Sequence, residues 1–316
     1  VYSVDDMSGG YWRNINSKCI FSKINLVNRK KTEDFINKLK PDLIYHLAAD
    51  ATEGRSQFTP INSTQRNYLA FLNTLVPAIK NGLRKIVVVS SMSVYGKQQT
   101  PFSEDMEVSP EDIYAISKAA MEKAVKILSD VYKFNYTIIR PHNCYGNRQN
   151  MTDPYRNVIG IFINQLLNNK NYFIFGDGEQ KRSFSYLGDV APYIVKAGLS
   201  EKCNGEIFNI GPKEEWTINQ LSDKILKIYF CEKIPAELKP KYLPDRPKEV
   251  KNAFCTNEKA IKFLNYKTKT SLDEGLKLMI DWAKKLGPQK FKYLKKLEIE
   301  NEFVPKTWGG KDFKKL

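Results

Sequence analysis

Tyr114 and Lys118 stand four residues apart in the run Tyr114-Ala115-Ile116-Ser117-Lys118, a spacing that brings both side chains to one helix face. An ammonium under a phenol holds the phenolate and lowers the pKa of the tyrosine, which makes it a usable base near neutral pH. Upstream, Ser90-Ser91-Met92-Ser93-Val94-Tyr95-Gly96 ends the apolar run Lys85-Ile86-Val87-Val88-Val89. Its unbroken hydrophobicity reads as a buried strand, and Ser91 at the carboxyl end lies where open α/β sheets hold their ligands. A strand-end hydroxyl facing a Tyr-Lys helix suits proton and hydride chemistry at a carbinol carbon. Alone, Tyr-x-x-x-Lys is also an ordinary pair on the solvated helix faces of a lysine-rich chain. The upstream serine cluster is what makes the pattern specific.

The remaining chain must position these groups. Its 316 residues suit one large or two modest domains and can bury a substantial core. The longest apolar runs are strand-sized, far short of the ~20 residues of a membrane-spanning helix, and the N-terminus lacks the basic-then-apolar order of a signal peptide. A soluble, cytoplasmic protein with no membrane partner is expected. Five scattered cysteines without a Cys-x-x-Cys pair suit reduced, mostly packed thiols. With only His46 and His142 present, no histidine-based metal site is expected, and His46 reads as a buried structural residue. The net charge of +15 raises the question of nucleic acid, but the lysines spread over helix faces instead of interleaving with aromatics in one patch. Such a balance favours small anionic ligands instead.

Strand-like and helix-like segments alternate along the chain. Strands are predicted at 19–24, 42–49, 85–89 and 135–140, with helices over 31–40, 62–81 and 114–134. Pro41 stops the first helix and Gly82 follows the second as a C-cap. The apolar positions of the third helix cover more than the ~100° stripe that one core contact needs. Beyond residue 143 the pattern is less regular, as in a smaller second domain, with helices at 156–168, 218–229 and 271–286 and a return to the sheet at 206–210.

After the strand 135–140 come Arg140-Pro141-His142-Asn143-Cys144-Tyr145-Gly146, and further on Gly176-Asp177-Gly178-Glu179-Gln180-Lys181-Arg182-Ser183-Phe184 and Asp245-Arg246-Pro247-Lys248-Glu249. Together with Ser91, Tyr114 and Lys118 these runs resemble the extended short-chain dehydrogenase/reductase family, in particular its nucleotide-sugar epimerases and dehydratases, from residue 1 to about 286. The resemblance implies a doubly wound parallel-sheet (Rossmann) domain over 1–143, rejoined around 183–210. It also implies a smaller α/β substrate domain over 144–182 and 211–286. Residues 287–316 form a basic, aromatic tail outside the family pattern; its Phe291, Phe303 and Trp308 either pack back on the body or meet a partner.

By the same resemblance, Ser91, Tyr114 and Lys118 form the catalytic set and NAD is the cofactor. Asp5 would hold the adenosine ribose and favour NAD over NADP, although Asp5-Asp6-Met7-Ser8-Gly9-Gly10 is also ordinary turn chemistry. Asn25 stands where relatives often contact adenine through an Asp. Leu47, Ala48 and Ala49 would line the dinucleotide, Asn67 would take a water-bridging place on the cofactor side, and Pro141 would touch the nicotinamide end beside Tyr114 and Lys118. The nucleotide sugar would meet Ser91 and Asn143, with Arg182 and Arg246 on its diphosphate, since a guanidinium binds phosphate oxygens by paired hydrogen bonds. Arg140–Gly146 could otherwise be a structural turn, and Arg246 a surface residue. Ser183 replaces the family's usual Asp.

The glycine-rich phosphate loop of the family is absent from the sequence. The chain therefore reads as N-terminally truncated, starting at the second strand, with roughly 25 to 30 residues carrying the first βα unit expected upstream. Two positions after Ser91 narrow the chemistry. Dehydratase relatives carry an Asp-Glu or Ser-Glu acid–base pair there, and decarboxylases a Glu at the second position, whereas this chain has Met92 and Ser93. The expected activity is C4 epimerisation of a nucleotide sugar, UDP-glucose/UDP-galactose or UDP-GlcNAc/UDP-GalNAc, by a homodimer built on helices 62–81 and 112–133. Ala253 aligns with a Tyr of strict UDP-galactose relatives and leaves room for an N-acetyl group. The alternatives are a non-catalytic NAD- or sugar-nucleotide-binding protein on the same fold, or another nucleotide-sugar-modifying enzyme.

Overall fold

The computed structural model describes residues 1–231, 233–246 and 248–308. Pro247 of the arginine motif and tail residues 309–316 lie outside the described residues. In chain order the first half comprises β1 (Tyr2–Asp5), β2 (Ile20–Lys23), α1 (Arg29–Leu39), β3 (Leu43–His46), α2 (Glu53–Ser56), α3 (Pro60–Thr64) and α4 (Ala70–Lys80). β4 (Lys85–Val89), α5 (Ile113–Tyr132) and β5 (Asn135–Pro141) complete it. β3, β4, β5 and the later strand Glu206–Ile210 form a parallel sheet in that spatial order, with β4 hydrogen-bonded on both edges. β1 pairs in parallel with β2 as a separate ribbon.

Burial on both faces explains why β4 is apolar throughout. Alternate residues of a strand point to opposite sides, and both sides of this sheet are covered. Ile86 and Val88 pack with Phe71, Leu75, Met121 and Val125 from α4 and α5, whereas Val87 joins Ile139, Phe208 and Ala197 on the other face. A second core gathers Tyr145, Phe162, Tyr172, Leu221, Leu276 and Ile280 from the helices Val158–Leu167, Ile218–Phe230 and Leu272–Leu286. A cleft opens between the sheet's carboxyl edge and this second core.

The helix expected over 62–81 is not regular. α3 passes into α4 through a π-helical stretch, Gln65–Leu69. The Asn67 side-chain amide donates to the Ser63 carbonyl at 2.8 Å, the acceptor that an ordinary α-turn would offer to the backbone, and such side-chain competition loosens helices locally. α5 is better defined: Asp112 caps it by accepting from the Ala115 amide at 2.8 Å, and Lys133 closes it in the left-handed conformation at φ 61°.

The tail folds back on the body as far as Trp308. Lys292 donates its amide to the Thr152 carbonyl at 2.8 Å, and Leu294 donates to the Tyr155 hydroxyl at 2.9 Å. On the sheet side, the Glu298 carboxylate accepts from the amides of Ile61 and Asn62 in the first turn of α3, at 2.7 and 2.8 Å. Trp308 then packs edge-on against both Phe58 and Tyr155, while Phe303 stays exposed. Residues 288–308 thus strap the two cores together. No helix among the described residues is long and apolar enough to cross a membrane.

Candidate active site

β4 ends at Val89, and the chain turns sharply through Met92–Tyr95 with Ser91 as its cap. The Ser91 hydroxyl accepts from the Ser93 amide at 3.1 Å and from the Ser93 hydroxyl at 2.9 Å. Tyr114, in the first turn of α5, is nearly buried and hydrogen-bonded to Ser91. One turn on, the Lys118 ammonium donates to the Val89 carbonyl at 2.7 Å and lies 5.8 Å from the centre of the Tyr114 ring. A further turn on is Glu122, whose carboxylate accepts from Ser90 Oγ at 2.6 Å and from Arg140 Nε and Nη2 at 2.9 and 2.6 Å. Arg140 Nη1 donates to the Tyr95 hydroxyl at 2.7 Å, and that hydroxyl donates to Asn209 at 2.8 Å. This buried network fastens α5 to the ends of β4, β5 and Glu206–Ile210, so the Ser-Tyr-Lys set sits on a rigid base.

The electrostatics differ from the sequence expectation in one respect. The Tyr114 phenol is held above the ordinary tyrosine value, not below it. Burial is the main cause and the Glu53 carboxylate adds to it, while the Ser91 hydrogen bond and Arg156 oppose them. Lys118 is turned toward the strand end, and burial lowers its own ammonium to about 8 against the pull of Glu122. Four-residue spacing set the face correctly but not the direction of the lysine's hydrogen bond. His46 is a neutral core residue: burial and the charge of Lys118 lower it to about 3, and its ring packs edge-on against Phe71.

These groups line a cleft of about 690 Å³ together with Leu47, Ala49, Pro141, Asn143, Arg182 and Arg246, within the range of sites that enclose a small ligand. Leu47 is 54% exposed at the carboxyl end of β3. An uncovered leucine beside small Ala49 and Pro141 is an apolar wall that fits the flat face of a nicotinamide. Asp5 ends β1 with its carboxylate accepting from the Met7 amide at 2.6 Å, and Asn25 accepts from the Val27 amide at 3.0 Å. Neither borders this cleft, and neither does Ala48, between Leu47 and Ala49. Asn67 is fully buried; its amide clasps the backbone of Asp50, where β3 hands over to the cleft. Asn67 itself does not border the cleft.

On the opposite wall, Asn143 donates to the Ser183 carbonyl at 2.9 Å. Arg182 and Arg246 converge on one carboxylate, Glu249, at 3.0 and 2.8 Å. Arg246 also lies over the Phe175 ring, 5.0 Å from its centre. Two guanidiniums gathered on a single anionic group form a ready seat for a diphosphate. Among the lining residues that sequence reasoning did not assign to the site are Glu53, Asp112 and Arg156, and Trp308 of the tail joins them. The recurrence of Tyr114, Lys118 and Glu122 at four-residue intervals was a legible sign of the supporting network. Nothing in the sequence announced Glu53, because α2 is a single short turn.

A parallel α/β sheet with a strand-end serine, a helix-borne Tyr-x-x-x-Lys and an apolar dinucleotide wall defines a short-chain dehydrogenase/reductase-type protein. Residues 3–211 match the family model described as the NAD dependent epimerase/dehydratase family. The chain belongs to that family, and NAD is its cofactor. It is 33% identical to a putative UDP-glucose 4-epimerase of Methanocaldococcus jannaschii over 90% of both chains. A crystal structure of UDP-glucose 4-epimerase with UDP-glucose from Thermotoga maritima superposes with a TM-score of 0.81 at 31% identity, covering 90% of this chain and 91% of that one. UDP-glucuronic acid 4-epimerase from Bacillus cereus, solved with UDP-glucuronic acid and NAD, gives 0.80 at 27% identity, covering 90% and 91%. Decarboxylases and dehydratases of nucleotide sugars also match.

Proposed function

We propose that this protein interconverts the C4 epimers of a UDP-hexose, with no net redox change and no loss of water. The observation that carries this reading is the minimal equipment around Ser91 and Tyr114: the two positions that follow Ser91 hold Met92 and Ser93. A thioether moves no protons, and Ser93 spends its hydroxyl on Ser91. Glu53 and Asp112 also bring carboxyls to the cleft, but Asp112 is engaged as the cap of α5, and neither stands at the two positions after Ser91 where dehydratase relatives carry their acid–base pair.

NAD supplies a reversible hydride acceptor and donor at the sugar C4. Tyr114 would take the proton of the 4-hydroxyl and return it to the same oxygen once the 4-keto sugar has turned in the cleft, while the hydride would come back to the opposite face of C4 and invert it. Ser91 shares the hydrogen bond at that oxygen, and the Ser93 hydroxyl keeps a proton available to Ser91. Lys118, fixed on the Val89 carbonyl, places a positive charge under the site. Arg182 and Arg246 exchange Glu249 for the diphosphate. Residues 1–143 with the return around 183–210 would bind the dinucleotide, and 144–182 with 211–286 the nucleotide sugar. Ala253, in register with Arg182, presents only a methyl group to the cleft, which supports acetylated UDP-hexosamines beside UDP-glucose. Ile116, Ile127 and Val131 of α5 stay exposed alongside Leu69 and Val76, which supports a homodimer through these helices. Light scattering at micromolar concentration should give twice the monomer mass.

NMR of products from UDP-glucose and UDP-GlcNAc tests the activity. The expected products are the galacto epimers; a 4-keto-6-deoxy sugar or released carbon dioxide would overturn the assignment.

A further inference from the structure

Glu53 has no role in the network described above. Its carboxylate makes no hydrogen bond or ion pair with any described residue, yet it lines the same cleft as Ser91 and Tyr114. The Ser56 hydroxyl uses its backbone carbonyl and leaves both carboxylate oxygens free. The turn of Glu53 fixes its position: the Ser56 hydroxyl also donates to the Asp112 carboxylate at 3.4 Å, and Gly54 lies beside Trp308 and Arg246. On one side is the reacting phenol of Tyr114, with Asp112 capping the same helix; on the other are Arg182, Arg246 and Glu249 at the diphosphate seat. A sugar joined to a diphosphate on those arginines, with its 4-hydroxyl at Tyr114, must pass along this carboxylate.

We propose that Glu53 is a specificity-determining residue, whose free carboxylate accepts hydrogen bonds from a neutral hexose and excludes a hexose that carries its own carboxylate. Two like charges on adjoining walls of a cleft repel, and rejection by unfavourable charge is a common route to selectivity. The cations nearby are already committed: Lys118 to the Val89 carbonyl, Arg156 to Asp153 at 3.1 Å, and the two arginines to the diphosphate. Lys248 pairs with Glu111 at 3.5 Å, which leaves the exposed Arg148 as the one uncommitted cation of the lining among the described residues. Its place between the cleft walls, open to solvent though it is, and the neighbouring Asp112 raise the Glu53 carboxyl to about 7, while Arg182 and Arg246 oppose the rise. The exclusion therefore strengthens as pH climbs through neutrality.

The inference rests on the UDP-hexose reading, and its test separates the two. Binding and turnover of UDP-glucose and UDP-glucuronate are measured at about pH 8.5, above the Glu53 value, for the wild type, Glu53→Gln and Glu53→Asp. The wild type should prefer UDP-glucose. Glu53→Gln should raise binding of UDP-glucuronate relative to UDP-glucose by about tenfold or more, and Glu53→Asp should keep most of the exclusion. An unchanged binding ratio in Glu53→Gln, or a wild type that binds both sugars equally, overturns the role of Glu53 even if epimers form. A ratio that shifts as expected without epimer formation supports Glu53 and overturns the activity.

Discussion

At the level of single residues, the proposed chemistry asks one group, Tyr114, to react and sets beside it others whose placement is costly. Replacing Tyr114 by Phe removes the acid–base hydroxyl and little volume. Turnover should fall by roughly 10²-fold or more with nucleotide binding largely kept, as steady-state rates and calorimetry would show. Lys118 is a buried ammonium lowered to about 8, mainly by burial, so the folded chain pays for its charge at neutral pH. Lys118→Met should raise the unfolding midpoint near pH 7 while abolishing turnover. The sign is fixed by linkage: between about 8 and the usual lysine value the unfolded chain binds the proton that the folded one has shed, so wild-type stability rises with pH. The advantage of the Met variant should shrink over that interval, and thermal denaturation at about pH 7 and pH 9.5 checks it. Ser91, Tyr114 and Lys118 were legible because residue type and spacing carry their chemistry. Glu53 and the direction of the Lys118 hydrogen bond were not, since both depend on which chain segments meet across the cleft.

At the level of elements, α5 carries Tyr114 and Lys118 of the candidate site and is a core helix as well. Its Glu122 holds Arg140, and both are almost entirely enclosed, at 4% and 2% side-chain exposure. Removing one partner strands the other charge. Glu122→Gln should therefore cost about 3–5 kcal/mol in denaturant unfolding. It should also lower turnover, because Ser90 and α5 lose their common anchor. Strands and helices were readable where period and length agreed, as with the apolar run of β4 and the strand 206–210. The irregularity of Gln65–Leu69 was not, because it arises from the Asn67 amide meeting Ser63 and Asp50, a tertiary circumstance in a sequence with ordinary helical periodicity. The second lobe was outlined only loosely for a related reason: its two-residue strands are held by long-range pairings such as Trp216 with Arg182, which leave no local period.

At the level of the whole molecule, the strap 288–308 joins the two cores across the cleft, and its attachment is concentrated at a few points. Trp308 is buried between Phe58 of the sheet side and Tyr155 of the other lobe, and its ring also meets Gly54, next to Glu53. A tryptophan lost from a closed core costs about 3–5 kcal/mol. A terminal strap can release locally instead, so the global penalty is capped by the free energy of undocking. Trp308→Ala should accordingly shift the thermal midpoint by only a few degrees while freeing the strap. The amides of Lys292, Leu294, Glu298 and Ile299, which bond across to Thr152, Tyr155 and Phe58, should lose hydrogen-exchange protection together. Those of Ile138 and Ile139 in β5, fully buried in the sheet, should keep theirs. With one wall of the cleft loosened, KM for the nucleotide sugar should rise about tenfold and kcat should change less, since the Ser91–Tyr114–Lys118 base is braced by Glu122 and Arg140 rather than by the strap. Equal loss of protection in β5 and the strap would show instead that residues 288–308 belong to the cooperative core.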